Sequence, residues 1–271
     1  MSTATASRPA VSVDELRRAY RAVQEGVYRR GQHKVHANRL GETERWSAPG
    51  QVLPVLGCAG GVGSTVTAAA IATAAGTARV VECCSATSSG LSAASTAELG
   101  RTLHEWSRGT RDGVVLDRAT DVFTTPSEVP LPAPTQDEDL TVLDAGWEAG
   151  VLLASSSWLS DQVLAAPSVI AVTRATVPGL RRLEGVLALL EGTHVVAAVV
   201  GPGRKKWPRE VRASMGTATR ALAEQDLITE LPLDGGLATH GLTGKAIPAP
   251  LQKAAAHTLR AARLGNTTTK G

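Results

Sequence analysis

Short apolar runs recur along this chain, and between them apolar residues return every three or four positions. The runs predict strands at 52–56, 78–83, 113–117, 140–144, 168–173 and 195–200, with a short one at 227–231. Between two of them, "PGLRRLEGVLALLEG" reads as a helix opened by Pro178, with Leu180, Leu183, Leu187 and Leu190 on one face. A last helix is expected at about 250–264, ending at Gly265. The strands are nearly continuous in apolar character, as strands covered on both faces are. Their alternation with helices predicts an α/β fold with a mostly parallel central sheet of six to eight strands, the 52–56 strand at its centre. Residues 125–138 hold four prolines and are expected as a surface loop.

The chain divides into three parts on this reading: an extension at 1–50, a main domain at 51–264 and a disordered tail at 265–271. Within the extension, Ser12 and Glu15 form a capping box for one amphipathic helix, and Gly31 suits its end. Val13, Leu16, Tyr20, Val23 and Val27 make its apolar stripe, with Arg17, Arg18, Arg21, Arg29 and Arg30 opposite. Those arginines are either solvated or turned to a protein, DNA or membrane surface.

Composition narrows the class. A hydrophobic share of 43% and a charged share of 20% are ordinary for a globular protein, and a net charge of +3 forces no nucleic-acid partner. No uninterrupted apolar run of about 18 residues suggests a membrane span, and the first residues lack a signal-peptide core, so a cytoplasmic location is expected. Cys58, Cys83 and Cys84 have no metal-type spacing and read as reduced thiols. Lysine occurs only at 34, 205, 206, 245, 253 and 270; the other basic residues are arginines, a bias typical of GC-rich, actinobacterial-like genomes.

The chemistry centres on "VLGCAGGVGSTVT". Gly60, Gly61 and Gly63 follow a strand and precede a helix, so backbone N–H groups can form an anion nest at a helix N-terminus. Thr65 stands where a phosphate loop places its magnesium-binding hydroxyl. Further on, "LTVLDAGW" is an apolar strand that ends in Asp144, where a magnesium-associated carboxylate belongs.

These residues resemble the ParA/MinD family of deviant Walker-A ATPases, whose loop reads KGGVGKT(T). The match lies at Gly60, Gly61, Val62, Gly63 and Thr65, and the resemblance runs over about residues 51–260. It implies a three-layer P-loop NTPase-like fold and a site for ATP or ADP with Mg2+. The implied nucleotide contacts are Gly60, Gly61, Val62, Gly63, Ser64, Thr65 and Val66, with Pro232 and Asp234 beside the base. The implied metal set is Thr65, Asp144 and Glu82, and a homodimer is the family's habit. The departures are as telling. Both family lysines are absent, replaced by Ala59 and Ser64, and Cys58 replaces a glycine. Cations neutralise the transition-state charge of phosphoryl transfer, so the loop is degenerate for hydrolysis. Arg174, expected at the carboxyl edge of the sheet, is the candidate substitute, ahead of Arg79 and Arg111.

A second feature is "GPGRKKWPREVR", where Arg204, Lys205, Lys206, Arg209 and Arg212 surround Trp207. It reads as a contact for a protein partner, for phosphate or weakly for DNA of any sequence, or as a solvated rim with Trp207 as a packing anchor. The resemblance then implies a degenerate ParA/MinD-like scaffold or regulator in positioning DNA or a protein assembly, a pseudo-ATPase with weak or no hydrolysis. The alternative is a working ATP-dependent switch in DNA segregation, conjugation or pilus and secretion assembly. In the first reading no nucleotide at all is as plausible as a bound one.

Overall fold

The computed structural model describes residues 46–48, 50–84, 88–102, 106–134 and 138–264. The amphipathic helix expected at 12–31 and the tail at 265–271 lie outside the described residues. The chain forms two compact units, 1–44 and 45–271. In the second, Trp46 already belongs to the folded body, ahead of the boundary expected at 51. Its ring meets Trp158 edge-on at 5.4 Å, and Gln162 donates to its carbonyl at 2.9 Å.

Every strand expected from the sequence is present. In chain order the elements are β1 (Gln51–Gly57), α1 (Ser64–Ala75), β2 (Ala78–Glu82), β3 (Ala97–Arg101), β4 (Trp106–Arg111), β5 (Val114–Ala119) and β6 (Leu140–Ala145). There follow α2 (Ala149–Leu153), α3 (Trp158–Ala165), β7 (Val169–Arg174), α4 (Val177–Leu189), β8 (Val195–Val200) and α5 (Arg209–Ala213). The last are α6 (Thr217–Glu224), β9 (Ile228–Leu231), α7 (Gly235–His240) and α8 (Ala249–Leu264). One sheet orders the strands β3-β4-β5-β2-β6-β1-β7-β8-β9. All pairings from β5 to β9 are parallel, and only β3–β4 and β4–β5 are antiparallel.

The near-continuous apolar strands are explained by their two covered faces. Leu53, Val55, Val80, Val142, Ile170, Val172 and Val196 pack on α1 and α8. Their neighbours Leu56, Val81, Leu143, Val169, Ala171 and Val195 pack on the opposite side, with α2–α6. Helix α1 is built from Ala and Thr with one Ser, one Val and one Ile, and small residues let it lie deep between the sheet and α8; residues 68–72 are all buried.

The sheet has nine strands, one more than the expected maximum of eight, and two of them, β3 and β4, are not among the seven placed from the sequence. β3 (AELGR) is exposed along its whole length at the sheet edge, so no apolar pattern marks it. β4 (WSRGTR) hides its inward face among polar letters, since Trp106, Gly109 and Arg111 are the buried positions. The proline-rich segment also departs from a plain surface loop. Val129 and Ala133 are buried, and the carbonyls of Val129, Leu131 and Ala133 accept from Trp158, Trp106 and Arg79. Carbonyls remain free in a segment that can make no ladder, and buried donors recruit them.

Candidate functional site

From β1 the chain crosses to β2 on one side, whereas β7, β8 and β9 build outward on the other. Open parallel sheets place their ligand crevice at such a switch point, at the carboxyl ends of the strands. A cavity of about 580 Å3 lies here. Its walls are the loop from Gly57 to Thr67, Gly146–Glu148 after β6, Arg174 at the end of β7 and residues 231–238 after β9.

The glycines earn their places in this loop. Gly61 and Gly63 have φ of +70° and +99°, a left-handed conformation that side chains disfavour. Gly63 then begins α1: its carbonyl accepts from both the amide and the hydroxyl of Thr67, at 2.9 and 2.8 Å. No side chain caps this helix start and its first turn holds no acid. Among the described residues, the amides of 59–66 donate to no protein acceptor. The result is a row of free donors where the helix dipole adds positive potential.

Positive side-chain charge in the cavity lining comes from one residue. Arg174 is the single Lys or Arg of its lining, and its Nη2 donates to the carbonyl of Gly61 at 3.0 Å. Cys58 adds no anion at neutral pH, because burial pushes its thiol up to about 12, outweighing the opposing hydrogen bond with Thr173. The two acids in the lining are spent on helix starts: Glu148 accepts from the amide of Val151 and Asp234 from that of Leu237, both at 2.8 Å. Pro232 lies in the wall. Arg79 and Arg111, the lesser candidates for a phosphate cation, are buried away from this lining. Arg79 reaches Asp117 at 3.4 Å and the carbonyl of Ala133 at 2.7 Å; Arg111 reaches the carbonyls of Ala94, Thr243 and Lys245.

The expected metal set is brought only partly together. Asp144 stands between β1 and β2, in register with Val55 and Glu82. It is fully buried, and neither carboxylate oxygen has a hydrogen-bond partner. Burial raises its pKa to about 7; the nearby Thr65 hydroxyl opposes that, without reaching hydrogen-bond geometry, and the Glu82 charge adds to it. Glu82 is committed elsewhere. Its carboxylate accepts from Ser89 Oγ and from the amides of Gly90 and Leu91, at 2.8–2.9 Å. It therefore ties the 89–91 loop down instead of facing the cavity. That loop lies on Thr65: a Cβ at Gly90 would come within 2.9 Å of the threonine methyl. Among the described residues, no group of three His, Cys, Asp or Glu side chains is placed to hold a metal by itself.

The basic cluster splits in two. Lys205, Lys206, Arg209 and Arg212 are exposed and Arg204 is half-buried. Trp207 is 2% exposed, packs beneath the sheet and donates from Nε1 to the carbonyl of Pro202 at 2.8 Å. This corrects the expectation of Trp207 as a partner contact: a buried indole with its N–H satisfied is a packing anchor. Conversely, Trp147 and Ser88 line the cavity although the sequence did not single them out. Trp147 Nε1 is buried without a partner. Its signal was its place just beyond Asp144, where the chain leaves the sheet edge.

An open parallel sheet with a glycine loop opening a helix at its switch point, beside a strand-terminal aspartate, has the P-loop NTPase-like architecture. Solved structures resemble the chain over most of its length at low identity. The MinC:MinD cell division protein complex of Aquifex aeolicus is 20% identical, with a TM-score of 0.49, covering 80% of this chain and 96% of that one. A plasmid partition protein of Borrelia burgdorferi bound to AMPPNP is 11% identical, with a TM-score of 0.47, covering 80% and 99%. A McdA variant from Cyanothece in complex with ATP is 12% identical, with a TM-score of 0.46, covering 79% and 97%. No protein-family model matches the chain and no curated protein matches it.

Proposed function

We propose that this chain is a degenerate ParA/MinD-like protein that binds a nucleoside di- or triphosphate, hydrolyses it weakly or not at all, and serves as a scaffold or regulator in positioning DNA or a protein assembly. One observation carries the reading. The amides of residues 59–66 have no described protein acceptor and line the same cavity as Arg174, so a phosphate chain would satisfy donors that the fold leaves free.

A magnesium ion fits part of the expected set. The two buried, unpartnered oxygens of Asp144 beside Thr65 suit a hydrated cation, whereas Glu82 is already bonded. Thr65 and Asp144 would hold the ion, which would supply neutralisation of phosphate charge. The chain's own residues do the rest: the loop amides orient the phosphates, and Arg174 balances one negative charge. Hydrolysis is slow on this reading because no lysine reaches the transferring group. Loss of one such preorganised donor typically costs about 10²–10³ in rate, and Ala59 and Ser64 leave two positions blank.

Arg174 also favours a second reading, a working switch ATPase in which its guanidinium replaces a loop lysine. Outward contacts would run through Lys205, Lys206, Arg209 and Arg212, which suit an acidic protein surface or, weakly, DNA. Calorimetric titration of ATP and ADP, with Mg2+ and with a chelator, joined to a phosphate-release assay, tests these readings. Binding with turnover near background is expected. Absence of binding by either nucleotide would overturn the proposal, and multiple turnover at ordinary ATPase rates would select the switch.

A further inference from the structure

Trp106, Trp158 and Trp207 give their indole N–H groups to the carbonyls of Leu131, Val129 and Pro202, at 2.7–3.0 Å. Trp147 differs from them. It lines the cavity, yet its Nε1 is closed off from solvent and meets no acceptor among the described residues. A buried indole N–H usually has a partner, and without one its resting position is unfavourable.

The residue is placed by its two chain neighbours. Gly146 passes so close to Cys84 that a Cβ on it would come within 2.6 Å of the cysteine Cβ. Glu148 accepts from the amide of Val151 and so starts α2. The backbone of Trp147 is thus held between β6 and α2, while its ring borders the open space of the cavity.

Its position along the cavity decides what it can meet. β6 and β9 lie on opposite sides of β1 in the sheet. Pro232, Leu233 and Leu237 follow β9, the glycine loop follows β1, and Trp147 follows β6. A nucleotide with its nucleoside beside the 231–238 wall and its phosphates on the loop points the end of the phosphate chain at Trp147. Arg174 ends β7, on the nucleoside side of β1, so no Lys or Arg of the lining stands at that far end.

We infer that Trp147 distinguishes a nucleoside triphosphate from a diphosphate: its ring turns into the cavity and its Nε1 donates to the terminal phosphate. The inference rests on the nucleotide-binding reading above. A ligand shifts a side chain only by binding one of its positions better than the other. A terminal phosphate oxygen meets that condition, because it offers Nε1 the acceptor that the resting position lacks.

The test is a calorimetric titration of the whole chain with AMPPNP and with ADP, each with Mg2+, in the native protein and in Trp147→Phe. AMPPNP affinity should fall about 10–100-fold, the range for a hydrogen bond to a charged acceptor, and ADP affinity by no more than about 3-fold. Trp147→benzothienylalanine, in which sulfur replaces the N–H, keeps the two-ring body and should give the same split even where the smaller ring disturbs folding. Equal losses for the two ligands, or none for AMPPNP, overturn the inference and leave nucleotide binding standing. Binding of neither ligand by the native chain instead overturns the nucleotide reading itself. An NMR spectrum of the tryptophan indole N–H groups gives a second readout. The resonance missing from the variants should move downfield in the native chain with AMPPNP and Mg2+, and stay near its free position with ADP. A resonance that AMPPNP leaves in place also overturns the inference.

Discussion

Arg174 Nη2 lies 3.0 Å from the carbonyl oxygen of Gly61, and this bond joins the end of β7 to the middle of the glycine loop. It fixes a guanidinium beside a row of free amides, and among the described residues no acceptor takes its other donors. A planar fork of this kind suits phosphate oxygens. Arg174→Gln should therefore weaken ADP and ATP binding by about 10–100-fold, corresponding to the 1.5–3 kcal/mol of a charge-assisted hydrogen bond. Calorimetry reads the affinity. The melting temperature should hardly move, because the side chain is only half-buried at the cavity wall.

Asp144 makes stability depend on pH in a defined sense. Its carboxyl in the folded chain titrates at about 7, raised from 3.8 chiefly by burial. A raised carboxyl pKa means the folded state prefers the protonated form. Stability is therefore fully present below the unfolded value, falls as pH rises through the window from about 4 to 7, and stays low above it. Asp144→Asn removes that dependence. Its stability advantage over the native chain, measured by denaturant unfolding without ligand, should grow between pH 4.5 and 7.5 by at least ~1 kcal/mol, given about 1.4 kcal/mol per pKa unit. An advantage that is flat across this window would contradict the assignment.

Restoring cations should restore affinity before it restores turnover. Ala59 and Ser64 both line the cavity, so Ala59→Lys with Ser64→Lys places two ammonium groups beside the loop amides. ATP should bind at least about 10-fold tighter, since charge-assisted bonds run to 1.5–3 kcal/mol each. Phosphate release, followed under single turnover, should rise above the background of the native chain. Unchanged affinity in a folded double variant would show that the loop amides do not meet phosphate.

The basic rim and its tryptophan should separate cleanly. Replacing Lys205, Lys206 and Arg209 by alanine removes exposed charges that contribute little to stability, typically within about 1 kcal/mol. If the rim contacts DNA, retention in a gel shift at low salt should fall and the salt dependence should flatten. Trp207→Ala should instead lower stability by about 3–5 kcal/mol, the usual cost of emptying a buried aromatic site. Circular dichroism during heating distinguishes the two outcomes.

Much of this molecule follows from local pattern. Strands β1, β2, β6, β7 and β8 announce themselves because each is covered on both faces and carries a run of mostly apolar residues. The loop announces itself because the left-handed backbone at 61 and 63 favours glycine. Other features depend on neighbours far away in the chain, and no local pattern contains them. β3 is an exposed edge with no apolar face to declare. β4 buries Arg111, whose guanidinium is paid for by carbonyls of residues 94, 243 and 245. Glu82 was legible as a strand-terminal acid, yet its three donors come from a loop that folds back over Thr65. Trp207 sits among five cations in sequence but beneath the sheet in space, because β8 ends where a large apolar side chain can still reach the core. Sequence alone determined the alternating layers and the anion nest, since both are written in periods of a few residues. Which carboxylates and arginines stay free to meet a ligand was decided only by tertiary structure, because a buried charge takes whichever partner the packed elements bring within reach.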